Sequence, residues 1–312
     1  MSWMTEAEPD AKRQRPEGID IAIVPRTVDI GNFTVHRALP AEKKQMVGPF
    51  IFWDQMGPGD FAAGRGVDVR PHPHIGLATL TYLFAGSLDH RDSLGNTLRI
   101  VPGDVNLMYA GAGIVHSERT GEDVRRQPSR LFGIQSWLAQ PRIHEEGGPG
   151  FSHVEAEDIT LFEDTGIRGR LILGQIENVV SPLPAQWQTL YADIELVRGA
   201  VLKLPDDVEE RAVHIVHGRI DACSADFGEG RMVVFRPGSE AIVTAREKTR
   251  LMLLGGAPMD GPRYIWWNFV SSSVETIKIA AREWYNQKFP SIPGDDDEFI
   301  PLPDLPFPDD DS

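Results

Sequence analysis

Apolar residues in this chain fall in short runs broken by glycine and proline. "PFIFWDQ" (49–55), "LATLTYLF" (77–84), "RLFGIQSWL" (130–138), "TLYADIEL" (189–196), "RAVHIVHGRI" (211–220), "RMVVFRP" (231–237) and "RLMLLGG" (250–256) are rich in Val, Ile, Leu, Phe and Thr. With 30 glycines and 24 prolines to supply turns, the pattern predicts many short strands in an all-β sandwich or barrel. Helical periodicity is scarce until residue 272. There "SSVETIKIAAREWYNQ" (272–287) opens with Ser272 and Glu275 at capping-box spacing, and Ile277, Ala280, Ala281 and Trp284 share one face. That stripe predicts a helix docked on a barrel.

The β-rich part echoes itself weakly. "YLFAGSLDH" (82–90) and "HIVHGRIDA" (214–222) share a strand–glycine–turn pattern, and "VPGD" (101–104) and "RPGSE" (236–240) both read as Pro-Gly turns feeding another strand. Two similar β-domains joined near 145–155, where "EEGGPGF" breaks the pattern, account for the echo. The expected division is a flexible arm at 1–20, a first β-domain at 21–148, a second at 149–271, and a helix with an acidic, proline-rich tail at 272–312. Within that tail Phe299, Ile300 and Leu302 are the residues able to pin it to a groove.

Composition narrows the class. At 41% hydrophobic and 25% charged the chain is an ordinary globular protein. No apolar stretch approaches the roughly 18–20 residues of a membrane span, and the first 17 residues lack the apolar core of a secretory signal. A single cysteine, Cys223, excludes an internal disulfide framework and a thiolate metal cluster. A reducing cytoplasm is the expected address. The net charge is −15, and the stretch from Asp295 to the end holds eight acids and no base. The body that remains is still acidic, which argues against direct nucleic-acid binding and makes a basic protein the better-matched partner.

Candidate chemistry enters at "RPHPHIG" (70–76). Residues i and i+2 of a strand face the same way, so His72 and His74 project together. Gly76, Ala78, Leu80 and Tyr82 continue that parity. In "GIVHSERTG" (113–121), His116 and Glu118 form a second i, i+2 pair. Taken singly, each pair reads as surface or satisfied core residues. Facing one cavity, they supply three imidazoles and a carboxylate, a set suited to Fe, Zn, Ni, Cu or Mn with two positions left open. Pro71 and Pro73 stiffen the strand that presents the first pair. His90 and Asp92 read first as hairpin-turn residues, and Trp266 and Trp267 as packing.

"PHPHIGLATLTYLFAGSLDHRDSLGN", "PGDVNLMYAGAGIVHSE" and "YIWWNFVSSS" resemble the pirin family of the cupin superfamily, over about Val47 to Leu302. The resemblance implies a bicupin: two face-to-face antiparallel, jelly-roll-like β-barrels with one divalent metal in the N-terminal barrel. The family's ligands fall on His72, His74, His116 and Glu118. Iron is the first assignment, with Ni, Cu, Mn or Zn as alternatives. Some bacterial members resemble quercetin 2,3-dioxygenases, which open a flavonol ring with dioxygen, and animal members are nuclear transcription cofactors. Two departures stand out. Ala78 occupies a position where many relatives carry Glu, and Gln55 one where relatives often carry His.

Three functions follow as expectations. The first is an Fe(II)-dependent dioxygenase taking a small aromatic substrate and dioxygen, with Glu118 as catalytic residue and Phe52, Met56 and Ala78 lining the pocket. The alternative is a non-enzymatic, redox-sensitive iron-binding regulator that acts through a protein partner. The third is isomerase or hydrolase chemistry on a redox-inactive ion.

Overall fold

A computed structural model describes residues 16–30 and 33–303. Most of the expected arm and the last four acids, Asp304 and 309–311, lie outside the described residues. The chain forms two barrels of the same design, each a seven-stranded sheet facing a four-stranded one. In the first barrel the large sheet runs in the order Gly150–Val154, Val105–Tyr109, Leu77–Ala85, Ser129–Ala139, Phe50–Phe61, Thr34–Leu39, Arg26–Asp29. Its small sheet runs Asp68–His74, Ile114–Arg119, Leu88–Asp92, Thr97–Ile100. The neighbours in both sheets are antiparallel.

The large sheets of the two barrels pack against each other. Trp53, Leu80 and Tyr82 of the first meet Tyr191, Met252 and Leu254 of the second in one buried cluster. Strand alternation therefore sorts the first large sheet into two faces. Trp53, Ala78, Leu80 and Tyr82 look to the other barrel, whereas Phe52, Asp54, Met56, Gln135 and Trp137 look into their own. Tyr82 carries a polar tip across the junction, donating to Asp193 Oδ2 at 2.8 Å, and Arg250 holds the same carboxylate through two further bonds. Both buried members of that trio, Tyr82 and Asp193, thus have partners, as low-dielectric burial requires.

The two halves exchange segments, which the expected boundaries do not provide for. Ile19–Ile23 pairs with Met232–Phe235 and so belongs to the second barrel's sheet, although the arm was expected to run to residue 20. Ile19 and Ile23 are buried there, covering what would otherwise be an open apolar sheet edge. Gly150–Val154 pairs with Val105–Tyr109, carrying the first barrel past residue 148. After the second barrel the chain returns to the first as a hairpin, Tyr264–Trp266 with Phe269–Ser271, and Phe269 bridges Ile75 in parallel.

The helix spans Val274–Tyr285 and buries Ile277, Ala280, Ala281 and Trp284, the predicted stripe. Its cap differs from the expected box. Ser273 is the N-cap, accepting from the Thr276 N–H, because Ser272 is held by the buried Glu145 through both its N–H and its hydroxyl. Glu275 instead accepts from Arg282.

The described part of the acidic tail is docked. Ile292 is buried, Asp295 accepts from Ser117 Oγ at 2.6 Å and Arg119 Nη2 at 2.8 Å, and the Ile300 N–H donates to Pro71 O at 2.8 Å. Phe299 sits edge-on to Trp284, and Leu302 packs on the helix cluster.

Candidate metal centre

The small sheet of the first barrel presents the histidines. Asp68–His74 is an edge strand, which is why two prolines fit in it. Its partner Ile114–Arg119 places His116 directly opposite His72, and opposite residues of an antiparallel pair share a face. His74 follows at i+2. The three imidazoles converge, with ring centroids 4.4 to 5.0 Å apart and one ring nitrogen from each within 4.8 Å of the others. A bulge lies between His116 and Glu118, where the partner jumps from His72 to Val69. Glu118 lines the same cavity, and its Oε1 lies 3.3 Å from Thr81 Oγ1, outside the tight cluster of nitrogens.

Backbone carbonyls orient two of the rings. His72 Nδ1–H donates to Arg70 O at 2.9 Å and His74 Nδ1–H donates to Asn268 O at 3.0 Å. Because a carbonyl only accepts, both Nε2 atoms are left as bare lone pairs. Burial pulls His72 down to about 4, against the opposing pull of the Arg70 carbonyl. Burial also holds His74 and His116 well below the ordinary imidazole value, with neighbouring histidines adding to it. Neutral imidazoles with inward lone pairs are the metal-binding form. His74 Nε2 lies 3.1 Å from His116 Nε2, and His116 Nδ1 is buried without a partner. The residues present therefore fit a divalent ion.

The cluster sits in a cleft of about 510 Å³. One wall is the inner face of the large sheet, where Trp137 is edge-on to His74 and stacks on Phe52 with centroids 4.0 Å apart. The Arg37 guanidinium lies 4.3 Å from the centre of the Phe52 ring and is bonded twice to Asp54. Trp267, Asn268 and Ile300 reach the cleft from the C-terminal return.

Comparison with known proteins places this architecture. The family model described as pirin matches residues 32–138, and that of the pirin C-terminal cupin domain matches 191–290. A pirin-like protein of Caulobacter vibrioides is 44% identical over 291 residues, covering 92% of this chain and all of the relative. The chain belongs to the pirin family. The solved structure of a quercetin 2,3-dioxygenase from Acinetobacter baumannii is 30% identical, with TM-score 0.84, and covers 92% of this chain and 95% of that one. A second structure of that name, 24% identical with TM-score 0.81, shares the fold over 88% of this chain. The all-β bicupin is thus the architecture of this pirin.

One expected pocket residue of this pirin, Ala78, and one departure from its relatives, Gln55, lie away from the cleft. Ala78 does not continue the parity of His72 and His74, because Gly76 turns the chain at φ +64 between the small sheet and the large one. Ala78 consequently faces the other barrel, so its small size gives the cleft no room. Gln55 also faces the junction, where it accepts from His214 Nε2 at 2.9 Å. Phe52 and Met56 do line the cleft. Asp92 accepts the N–H groups of Leu94 and Asn96 in its hairpin, as a turn residue should, and His90, opposite Glu118 on the same face, bonds to it beside His116. Asp54, Gln135, Trp137 and Trp267 are cleft residues that the sequence reading missed. The alternation of Phe52, Asp54 and Met56 offered a signal for Asp54. The others depend on pairings distant in sequence.

Proposed function

We propose that the cleft holds one divalent transition metal on His72, His74, His116 and Glu118. We further propose that the protein is an Fe(II)-dependent dioxygenase acting on a flavonol or related aromatic. The observation that carries this reading is the pair of Nε2 atoms 3.1 Å apart, with the His74 Nδ1 proton already committed to the Asn268 carbonyl. That arrangement aims the His74 lone pair at His116, whose Nδ1 has no partner, and a cation between the two rings would use both inward nitrogens. The neutral state of the buried rings and the nearby carboxylate support the same reading, as does the name of the Acinetobacter baumannii relative.

A bound iron would supply Lewis-acid activation of a phenolic oxygen and one-electron chemistry toward dioxygen. The chain's own residues do the rest. The Asn268 and Arg70 carbonyls fix the ring orientations of His74 and His72. Trp137 and Phe52 form an aromatic wall that seats a flat substrate and excludes water. Glu118, whose carboxyl burial pushes up, is the group placed to take and return a substrate hydroxyl proton at a carboxylate oxygen. Protein reconstituted anaerobically with Fe(II) should consume dioxygen when given a flavonol and release carbon monoxide. No uptake with any of a panel of flavonols would overturn the enzymatic reading. Partner binding that changes with iron oxidation state would then favour the regulator.

A further inference from the structure

Three adjacent strand pairings lay a polar belt across the inner face of the large sheet. Thr81 pairs with Gln135, Gln135 with Asp54, and Asp54 with Arg37. At ~4.8 Å per strand, Asp54 lies ~10 Å along the belt from Thr81, the end that meets Glu118. The row beside the belt holds Thr79, Trp137 and Phe52. The cleft therefore has two polar poles joined by an aromatic wall, and the metal reading uses only one of them.

The second pole is built with care. Asp54 is 4% exposed yet lines the cleft. Arg37 Nε and Nη2 bond its two oxygens at 2.8 Å each. A carboxylate has about four acceptor sites, so about two remain after a bidentate guanidinium. Arg37 is itself fixed from a second side. Trp137 and the guanidinium both lie within 4.3 Å of the Phe52 ring centre, and two groups that close must take opposite faces. Phe52 is thus clamped and shows its edge to the cleft. Ring edges attract the π-face of an aromatic ligand. Burial raises the Asp54 carboxyl, outweighing the opposing pull of Arg37.

We propose that Asp54, held by Arg37, is a specificity-determining residue: it accepts a hydrogen bond from a hydroxyl on the ligand edge remote from Glu118 and rejects a carboxylate there. The proposal rests on the aromatic-substrate reading above, but its test does not need turnover. A matched neutral donor and anion separate the two effects, because Arg37 is neutralised only while Asp54 is present.

The experiment titrates the metal-loaded protein anaerobically with naphthalene, 2-naphthol and 2-naphthoate by calorimetry. In the native chain 2-naphthol should bind about ten- to a hundredfold more tightly than naphthalene, and 2-naphthoate more weakly than 2-naphthol. Asp54→Asn should erase most of the hydroxyl preference and reverse the order, since the freed guanidinium then attracts the carboxylate. Arg37→Gln should keep the rejection of 2-naphthoate, and it remains informative if Asp54→Asn fails to fold. An unchanged naphthol-to-naphthoate ratio in Asp54→Asn, or no binding of any of the three to the native chain, overturns the proposal. A shifted ratio without oxygen uptake on flavonols would overturn only the dioxygenase reading.

Discussion

The acidic tail clamps the back of the strand that presents His116 and Glu118, and loosening one residue of it has a calculable effect. Ser117 and Arg119 alternate with those two residues and point outward, and both donate to Asp295. Asp295→Asn keeps the shape but removes the charge. Charge-assisted bonds contribute ~1.5–3 kcal/mol, and Arg119 keeps its bond to Glu298 at 3.1 Å, so a loss of about 2 kcal/mol in local stability is expected. At 1.4 kcal/mol per factor of ten, local opening becomes about thirtyfold more frequent.

The readout is hydrogen exchange in the segment "EFIPLP" (298–303), whose two prolines leave few amides, among them that of Ile300 on Pro71 O. Acid should act in the same direction. Burial pushes the Asp295 carboxyl up, but Arg119 and Ser117 outweigh it and leave it below the ordinary value. A depressed carboxyl contributes stability that is complete above its unfolded pKa of about 3.9 and lost as pH falls through the lower folded value. Protection, corrected for intrinsic rate, should therefore hold at pH 5–7 and fade below about 4. Unchanged exchange in Asp295→Asn, or protection already lost at pH 6, would refute the clamp.

Other substitutions test the frame and the wall. Gly76→Ala would drive a Cβ into the Val270 carbonyl at a left-handed φ, so a loss of at least about 2 kcal/mol in urea denaturation is expected, and an unmoved midpoint would contradict the turn. Tyr82→Phe removes one bond to an Asp193 that Arg250 still holds, so about 1.5 kcal/mol should go; no change would mean that the barrel junction gains nothing from it. Phe52→Leu unclamps Arg37 and should raise KM about three- to tenfold at nearly constant kcat. A fall confined to kcat would contradict a seating role.

What the sequence revealed follows from the range over which each signal acts. Strand runs and the helix stripe are local periodicities, and His72, His74 and His116 are joined by one pairing that their chemistry already suggested. Parity failed where it was carried across Gly76, since a single left-handed glycine moves the chain from one sheet to the other and turns Ala78 away. The swap of Ile19–Ile23 into the far barrel leaves no local trace, because an amphipathic strand looks the same whichever sheet accepts it. Within the described residues the tail packs Ile292, Phe299 and Leu302 on the helix cluster, as the apolar residues of its sequence allow. It also docks by ion pairs to Arg119, whose outward direction follows from His116 and Glu118 lying on the opposite face of the strand. Asp54 and Gln135 became visible as a belt only through register across four strands.

The central claim is a metal held by a three-histidine cluster, and metal analysis tests it most directly. Native protein purified without added chelator should carry about one divalent transition metal per chain. His116→Ala should carry less than a tenth of that with its β-sheet circular dichroism unchanged, because it removes a nitrogen 3.1 Å from His74 Nε2. Equal metal in the two proteins would contradict the ligand assignment.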